Sequence, residues 1–189
     1  MLTVLKRKAR RSKSAVVAYK IFDSWRRRRR HVRGDIIDTS GATHLGKSLE
    51  ASVARIFAQF DDYASYGGLA PDWFEGRRVL EVGHGDNVGV ALLFLAAGAD
   101  SAVCLDRFYC PRDEAQQRQI YLELRARLKS DEERRRFDDC IDLSEGVKTN
   151  PARLRELCGA GVEDAKELLD GGPFDLAVSN AVVQEIYDP

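Results

Sequence analysis

Arg77-Arg78-Val79-Leu80-Glu81-Val82-Gly83-His84-Gly85-Asp86-Asn87-Val88-Gly89 leads into an apolar run at 90–97, then Gly98, then Ser101-Ala102-Val103-Cys104-Leu105-Asp106-Arg107-Phe108. Residues 79–82 are a short aliphatic run that stops at glycine, the pattern of a buried parallel strand. Gly83 and Gly85 permit a tight turn and a close backbone approach by a ligand. Residues 87–97 are long and apolar enough for a helix packed on a sheet, with Gly98 in the position that ends it. Residues 101–105 read as a second buried strand closing on Asp106. The whole is a β-α-β unit with its glycine turn at the carboxyl end of the first strand, where open α/β sheets bind ligands.

The glycine spacing narrows the ligand. A dinucleotide fingerprint is Gly-x-Gly-x-x-Gly, whereas here it is Gly83-x-Gly85-x-x-x-Gly89, with Glu81 two residues before the first glycine. A carboxylate there repels a pyrophosphate and suits a ligand carrying an ammonium or sulfonium group. Glu81-x-Gly83-x-Gly85, followed by a strand closed by an acid, resembles the first two motifs of class I S-adenosylmethionine-dependent methyltransferases. The Gly-Asp-Asn-x-Gly form and the following Ala-Leu-Leu-Phe-Leu-Ala-Ala-Gly-Ala are similar to a bacterial small-molecule branch of that family. The resemblance covers residues 41–189.

It implies an α/β fold with a Rossmann-like, doubly wound parallel sheet preceded by helices. It also implies S-adenosyl-L-methionine as cofactor and a small-molecule, lipid-linked or glycan-like methyl acceptor. Glu81, Gly83, His84 and Gly85 would surround the methionine end, and Asp106 with Arg107 the ribose, whose two hydroxyls a carboxylate can accept together. Glu163 or Asp164, after the third strand, would meet the adenine amino group, and Phe108 would flank its ring. Residues 174–186, Phe-Asp-Leu-Ala-Val-Ser-Asn-Ala-Val-Val-Gln-Glu-Ile, resemble the fourth-strand motif and bring in Ser179 and Asn180. Gln184 and Glu185 stand where many relatives carry Glu-His, so no histidine base is expected and Glu185 is the catalytic candidate. Thr43 and His44, from the turn-rich segment 34–46, and Tyr63 and Tyr66, from the helix that follows it, would line the pocket. Set against these roles are plainer ones: surface acids at helix N-termini and core aromatics.

The family's sheet has seven strands, and this sequence ends just past the fourth. The expected order is therefore 3-2-1-4 with the later strands missing. The alternative function is a non-catalytic remnant that binds cofactor or a partner.

Composition sets the remaining bounds. The chain has 189 residues, enough for one sizeable core or one domain plus an arm. No apolar run approaches the ~20 residues of a membrane span, and no secretory signal is recognisable, so a cytoplasmic protein is expected. Cys104, Cys110, Cys140 and Cys158 show no Cys-x-x-Cys spacing, and the three histidines are scattered. Reduced thiols and no metal are the expectation.

Net charge is zero but unevenly spread. Residues 1–34 hold thirteen Lys/Arg and one acid, Asp23, so they carry +12 and the rest carries −12. The reading therefore sets a basic arm, 1–40, apart from a cofactor domain, 41–189. Ala18, Ile21, Phe22 and Trp25 fall at helical spacing just before five consecutive arginines, Arg26 to Arg30. Such a segment, residues 15–33, suits an anionic membrane surface at the inner face of the membrane. Nucleic acid phosphates are the less favoured partner, and a solvated arm packing on its own domain is the plainer alternative.

Further along, residues 47–66 read as a helix capped by Ser48, 109–129 and 131–140 as two more, 154–158 as the third strand, 162–169 as a helix and 174–179 as the fourth strand.

Overall fold

In a computed structural model the described residues are 13–34, 37–39, 41–163, 165, 169 and 172–180. The chain divides into two compact units, Met1–Ile36 and Ile37–Pro189.

Among the described residues the first unit contains one helix, α1, Lys13–Val32. It continues through all five arginines instead of stopping at Trp25, consistent with arginine being a good helix former. Phe22 lies 5.8 Å from Trp25, and the Arg29 guanidinium sits 4.3 Å over the Trp25 ring, one turn on. Val17, Tyr19, Ile21, Phe22 and Trp25 are all exposed.

The second unit is built on a sheet of four parallel strands: β1 (Arg78–Val82), β2 (Ser101–Asp106), β5 (Leu154–Cys158) and β6 (Leu176–Ser179), in the spatial order β5-β2-β1-β6. The helices are α2 (Leu49–Tyr66), α3 (Gly89–Ala96), α4 (Glu114–Arg127) and α5 (Asp131–Asp138). This is an α/β fold. Two strands were not foreseen: β3 (Ile141–Asp142) and β4 (Lys148–Thr149) form a small antiparallel pair of their own.

The local causes are legible. Ser48 caps α2 by accepting the Ala51 N–H at 3.3 Å. A reciprocal capping box between Ser130 and Glu133 opens α5. Helix α4 begins five residues later than expected, because Asp113 is its N-cap, accepting from Gln116 N–H. Helix α3 is buried on every side, and Gly98 ends it at φ 118°. Gly89 opens it, and a Cβ there would stand 2.8 Å from Ile56 and 3.0 Å from Leu124, so α2 and α4 press close at that point.

Alternation along the strands sorts two layers. Val79, Ala102, Cys104, Leu154 and Val178 belong to the main core with Ile56, Phe74, Phe94, Tyr121 and Phe137. Leu80, Val103 and Leu105 join Ala165 in a smaller cluster on the other face. Among the described residues no helix is long and apolar enough to cross a membrane, and all four cysteines are free thiols. Half of the helix expected at 162–169, residues 164 and 166–168, lies outside the described residues.

Candidate functional site

The turn after β1 requires glycine twice, at φ 82° for Gly83 and 65° for Gly85. The close approach at Gly85 is made by the chain itself: a Cβ there would lie 2.3 Å from the Gly41 carbonyl oxygen. The neighbouring Asp86 is fully buried and gathers the backbone N–H groups of Thr43, His44 and Leu45 at 2.7–3.2 Å. Segment 41–45 is thus fastened over the turn. Asn87 fastens the other side, accepting from Gly89 N–H at 2.6 Å and donating to Gln117 at 2.5 Å.

Asp106, closing β2, reaches the same turn. Its Oδ2 accepts from Gly85 N–H at 3.1 Å and its Oδ1 from Phe108 N–H at 3.0 Å. Each oxygen keeps a further lone pair. The acid of the second strand and the glycine turn of the first therefore meet at the carboxyl ends of adjacent parallel strands.

Glu81 was expected to face a ligand, and the structure puts it elsewhere. Alternation turns it to the helix-covered face beside Val79, where it is 3 % exposed and contacts the Cys104 thiol at 3.8 Å. Burial pushes its carboxyl up to about 7, against the opposing pull of His84 and Cys104 and with Asp106 adding to the rise.

His84 also points inward. Its imidazole is completely buried, with Nε2 3.8 Å from Glu156 Oε1 and 4.0 Å from Cys158 Sγ, and Nδ1 has no partner among the described residues. Burial disfavours the imidazolium, but the Cys158 thiol and the Glu156 carboxylate outweigh it and raise its pKa. Glu156 moves the other way: burial would raise it, yet His84 and Arg112 hold it down near about 2. Arg112 donates to Glu156 Oε2 at 2.7 Å and to the Gly85 carbonyl at 3.3 Å, tying β5 to the glycine turn.

The other candidates separate into groups. Arg107 and Glu163 are brought together and ion-pair with each other beside Gly161. Ser179 ends β6 next to Val82, its Oγ buried with no partner among the described residues, and Asn180 is exposed just beyond it. Phe108 is buried at 9 % exposure. His44 is buried; Tyr63 packs on Phe94 with its hydroxyl bonded to Gln59, and Tyr66 is exposed. Asp164, Gln184 and Glu185 lie outside the described residues.

Sequence reasoning missed Asp86, Arg112, Glu156 and Cys158. The last two carried a signal: positions i and i+2 of a strand share a face, which puts an acid and a thiol side by side at the strand's carboxyl end. Comparisons with models of protein families, with curated protein sequences and with solved structures gave no significant match.

Proposed function

We propose that the second unit binds S-adenosylmethionine at the carboxyl ends of β1, β2 and β6 and is a class I methyltransferase acting on a small-molecule, lipid-linked or glycan-like acceptor. The observation that carries the reading is the Asp106–Gly85 hydrogen bond, which joins an acid to a glycine turn on neighbouring parallel strands. The further lone pairs of Asp106 suit a pair of ribose hydroxyls, and the Ser179 Oγ, buried without a partner among the described residues, suits a ligand donor or acceptor at the end of β6. When bound, the cofactor supplies an electrophilic methyl group; the chain's part is to hold donor and acceptor in line. The Glu81 carboxylate belongs to the support beneath the turn in this reading, since it is buried away from solvent.

Calorimetry of the chain with S-adenosylmethionine, S-adenosylhomocysteine and NAD tests it. Micromolar binding of either sulfur compound with none of NAD is expected. NAD binding without a response to S-adenosylhomocysteine would overturn the reading.

For the first unit we propose reversible attachment to an anionic membrane surface at the inner, cytoplasmic face. Six exposed large apolar side chains, Val16, Val17, Tyr19, Ile21, Phe22 and Trp25, share α1 with an arginine run, and each basic residue near an anionic leaflet contributes ~1 kcal/mol. Salt-sensitive binding to phosphatidylserine vesicles, and little to neutral ones, is expected. The pair Phe22→Ser and Trp25→Ser leaves every arginine in place and should abolish most of it. Unchanged vesicle binding by that pair rules the apolar side chains out of the contact.

A further inference from the structure

We propose that His84, Glu156 and Cys158 form a binding site for one thiophilic divalent metal ion of the zinc class. The two strand residues lie on one face of β5, and His84 reaches them from the glycine turn across the carboxyl end of β2. The three donor atoms are separated by 3.8 Å (Nε2 to Oε1), 4.0 Å (Nε2 to Sγ) and 3.7 Å (Sγ to Oε1). The nitrogen–oxygen distance is too long for a hydrogen bond, which needs about 2.7–3.2 Å. All three suit ligands sharing an ion. A nearly equilateral triangle of these edges has its centre ~2.2 Å from each corner, between the ~2.0 Å of zinc–nitrogen or zinc–oxygen bonds and the ~2.3 Å of zinc–sulfur.

The surroundings point the same way. A wholly buried imidazole with no short hydrogen bond on either nitrogen among the described residues is costly as it stands, and an ion on Nε2 removes the part of that cost that falls on Nε2. Imidazole, carboxylate and thiolate together fit zinc, whereas magnesium and calcium take oxygen donors. Two anionic donors and a neutral imidazole balance a double positive charge. Arg112 holds the outer oxygen of Glu156, the kind of support that orients a metal-bound carboxylate. Glu156 and Cys158 are partly exposed while His84 is not, so the fourth position opens on their side, for water or an added ligand. The ion would pin the glycine turn to β5. This site is independent of the cofactor reading, and either can fail without the other.

The test uses the full chain, purified with chelator and then dialysed against Zn²⁺ or Co²⁺. One ion per chain is expected, with a thiolate-to-cobalt charge-transfer band in the near ultraviolet. Cys158→Ser should remove that band and raise the zinc Kd by more than about 100-fold, beyond what loss of a supporting partner costs. Cys104→Ser should leave both unchanged. A band that survives Cys158→Ser, or disappears with Cys104→Ser, overturns the assignment. Should Cys158→Ser not fold, the wild-type chain decides alone: zinc must raise its Tm and a chelator must reverse the rise, and a Tm indifferent to zinc sinks the proposal.

Discussion

The two ends of the parallel sheet carry charge in opposite ways. At the amino end, Arg77 pairs with Asp175 at 3.2 Å with side chains 46 % and 35 % exposed, and Arg153 donates to the Ala99 carbonyl at 3.1 Å. Arg78, Ser101, Val103, Arg153 and Arg155 also line a cavity of about 250 Å³ there. At the carboxyl end, Glu81, His84, Glu156, Cys158 and Arg112 crowd under the helices or the glycine turn. The first arrangement is solvated charge around an open hollow. In the second, charges are largely withdrawn from water, and the pKa values of Glu81, His84 and Glu156 move. Buried polar groups gather at the carboxyl end of the strands, where α/β sheets place their ligands.

The largest effect expected from breaking that contrast is Arg112→Ala. Arg112 and Glu156 side chains are 18 % and 24 % exposed, so removing the guanidinium takes the closest cation from a largely desolvated carboxylate and should cost about 3 kcal/mol. Arg77→Ala, at the solvated end, should cost less than about 1 kcal/mol. Urea denaturation of both variants in chelator measures the two values. Equal losses would erase the distinction between the ends.

Glu81→Gln should act next most strongly and with the opposite sign. The folded carboxyl sits at about 7, above its ordinary 4.5, facing His84, Cys104 and Asp106. The folded chain therefore binds more protons than the unfolded chain between those values, and stability falls as pH rises through the window. The neutral amide escapes this loss, so its advantage over wild type should grow by about 2 kcal/mol from pH 5 to pH 8. Urea titrations at both pH values check it; a pH-independent difference would mean Glu81 stays ionised.

The fold was more legible than the site because strands announce themselves locally. Val79-Leu80-Glu81-Val82 before Gly83 and Ala102-Val103-Cys104-Leu105 before Asp106 are apolar runs with abrupt stops, and both are strands. The β3–β4 pair has two residues per strand and mostly exposed positions, so no period could reveal it. Glu81 was assigned to a ligand from its distance to the glycines, when its parity along the strand directs it into the core. His84 and Cys158 are 74 residues apart, and Arg112 and Glu156 are 44 apart. Only the side-by-side alignment of β1, β2 and β5 brings such groups together. The role of Asp86 was hidden for the same reason, since its partners are backbone groups more than 40 residues earlier.

Asp106→Ala sharpens the comparison within the carboxyl end itself. It removes acceptors for Gly85 and Phe108 N–H groups, and should weaken S-adenosylhomocysteine binding by about 2 kcal/mol, the scale of hydrogen bonds to a charged group. Calorimetry on the folded variant measures it. An unchanged Kd would leave Asp106 as a brace of the turn and nothing more.

Ser179→Ala should give the smallest effect, and its sign should depend on the ligand. The Oγ at the end of β6 is buried without a partner among the described residues, and removing such a hydroxyl relieves a desolvated group. Stability without ligand should stay within about 0.5 kcal/mol of wild type or rise slightly. With S-adenosylhomocysteine present, the wild-type hydroxyl gains its missing partner and the variant cannot, so affinity should drop by about 1 kcal/mol. Thermal melts with and without ligand give both numbers on one sample. A variant destabilised in the free state yet unchanged in affinity would show that Ser179 is bonded within the protein, and that the ligand does not extend to the end of β6.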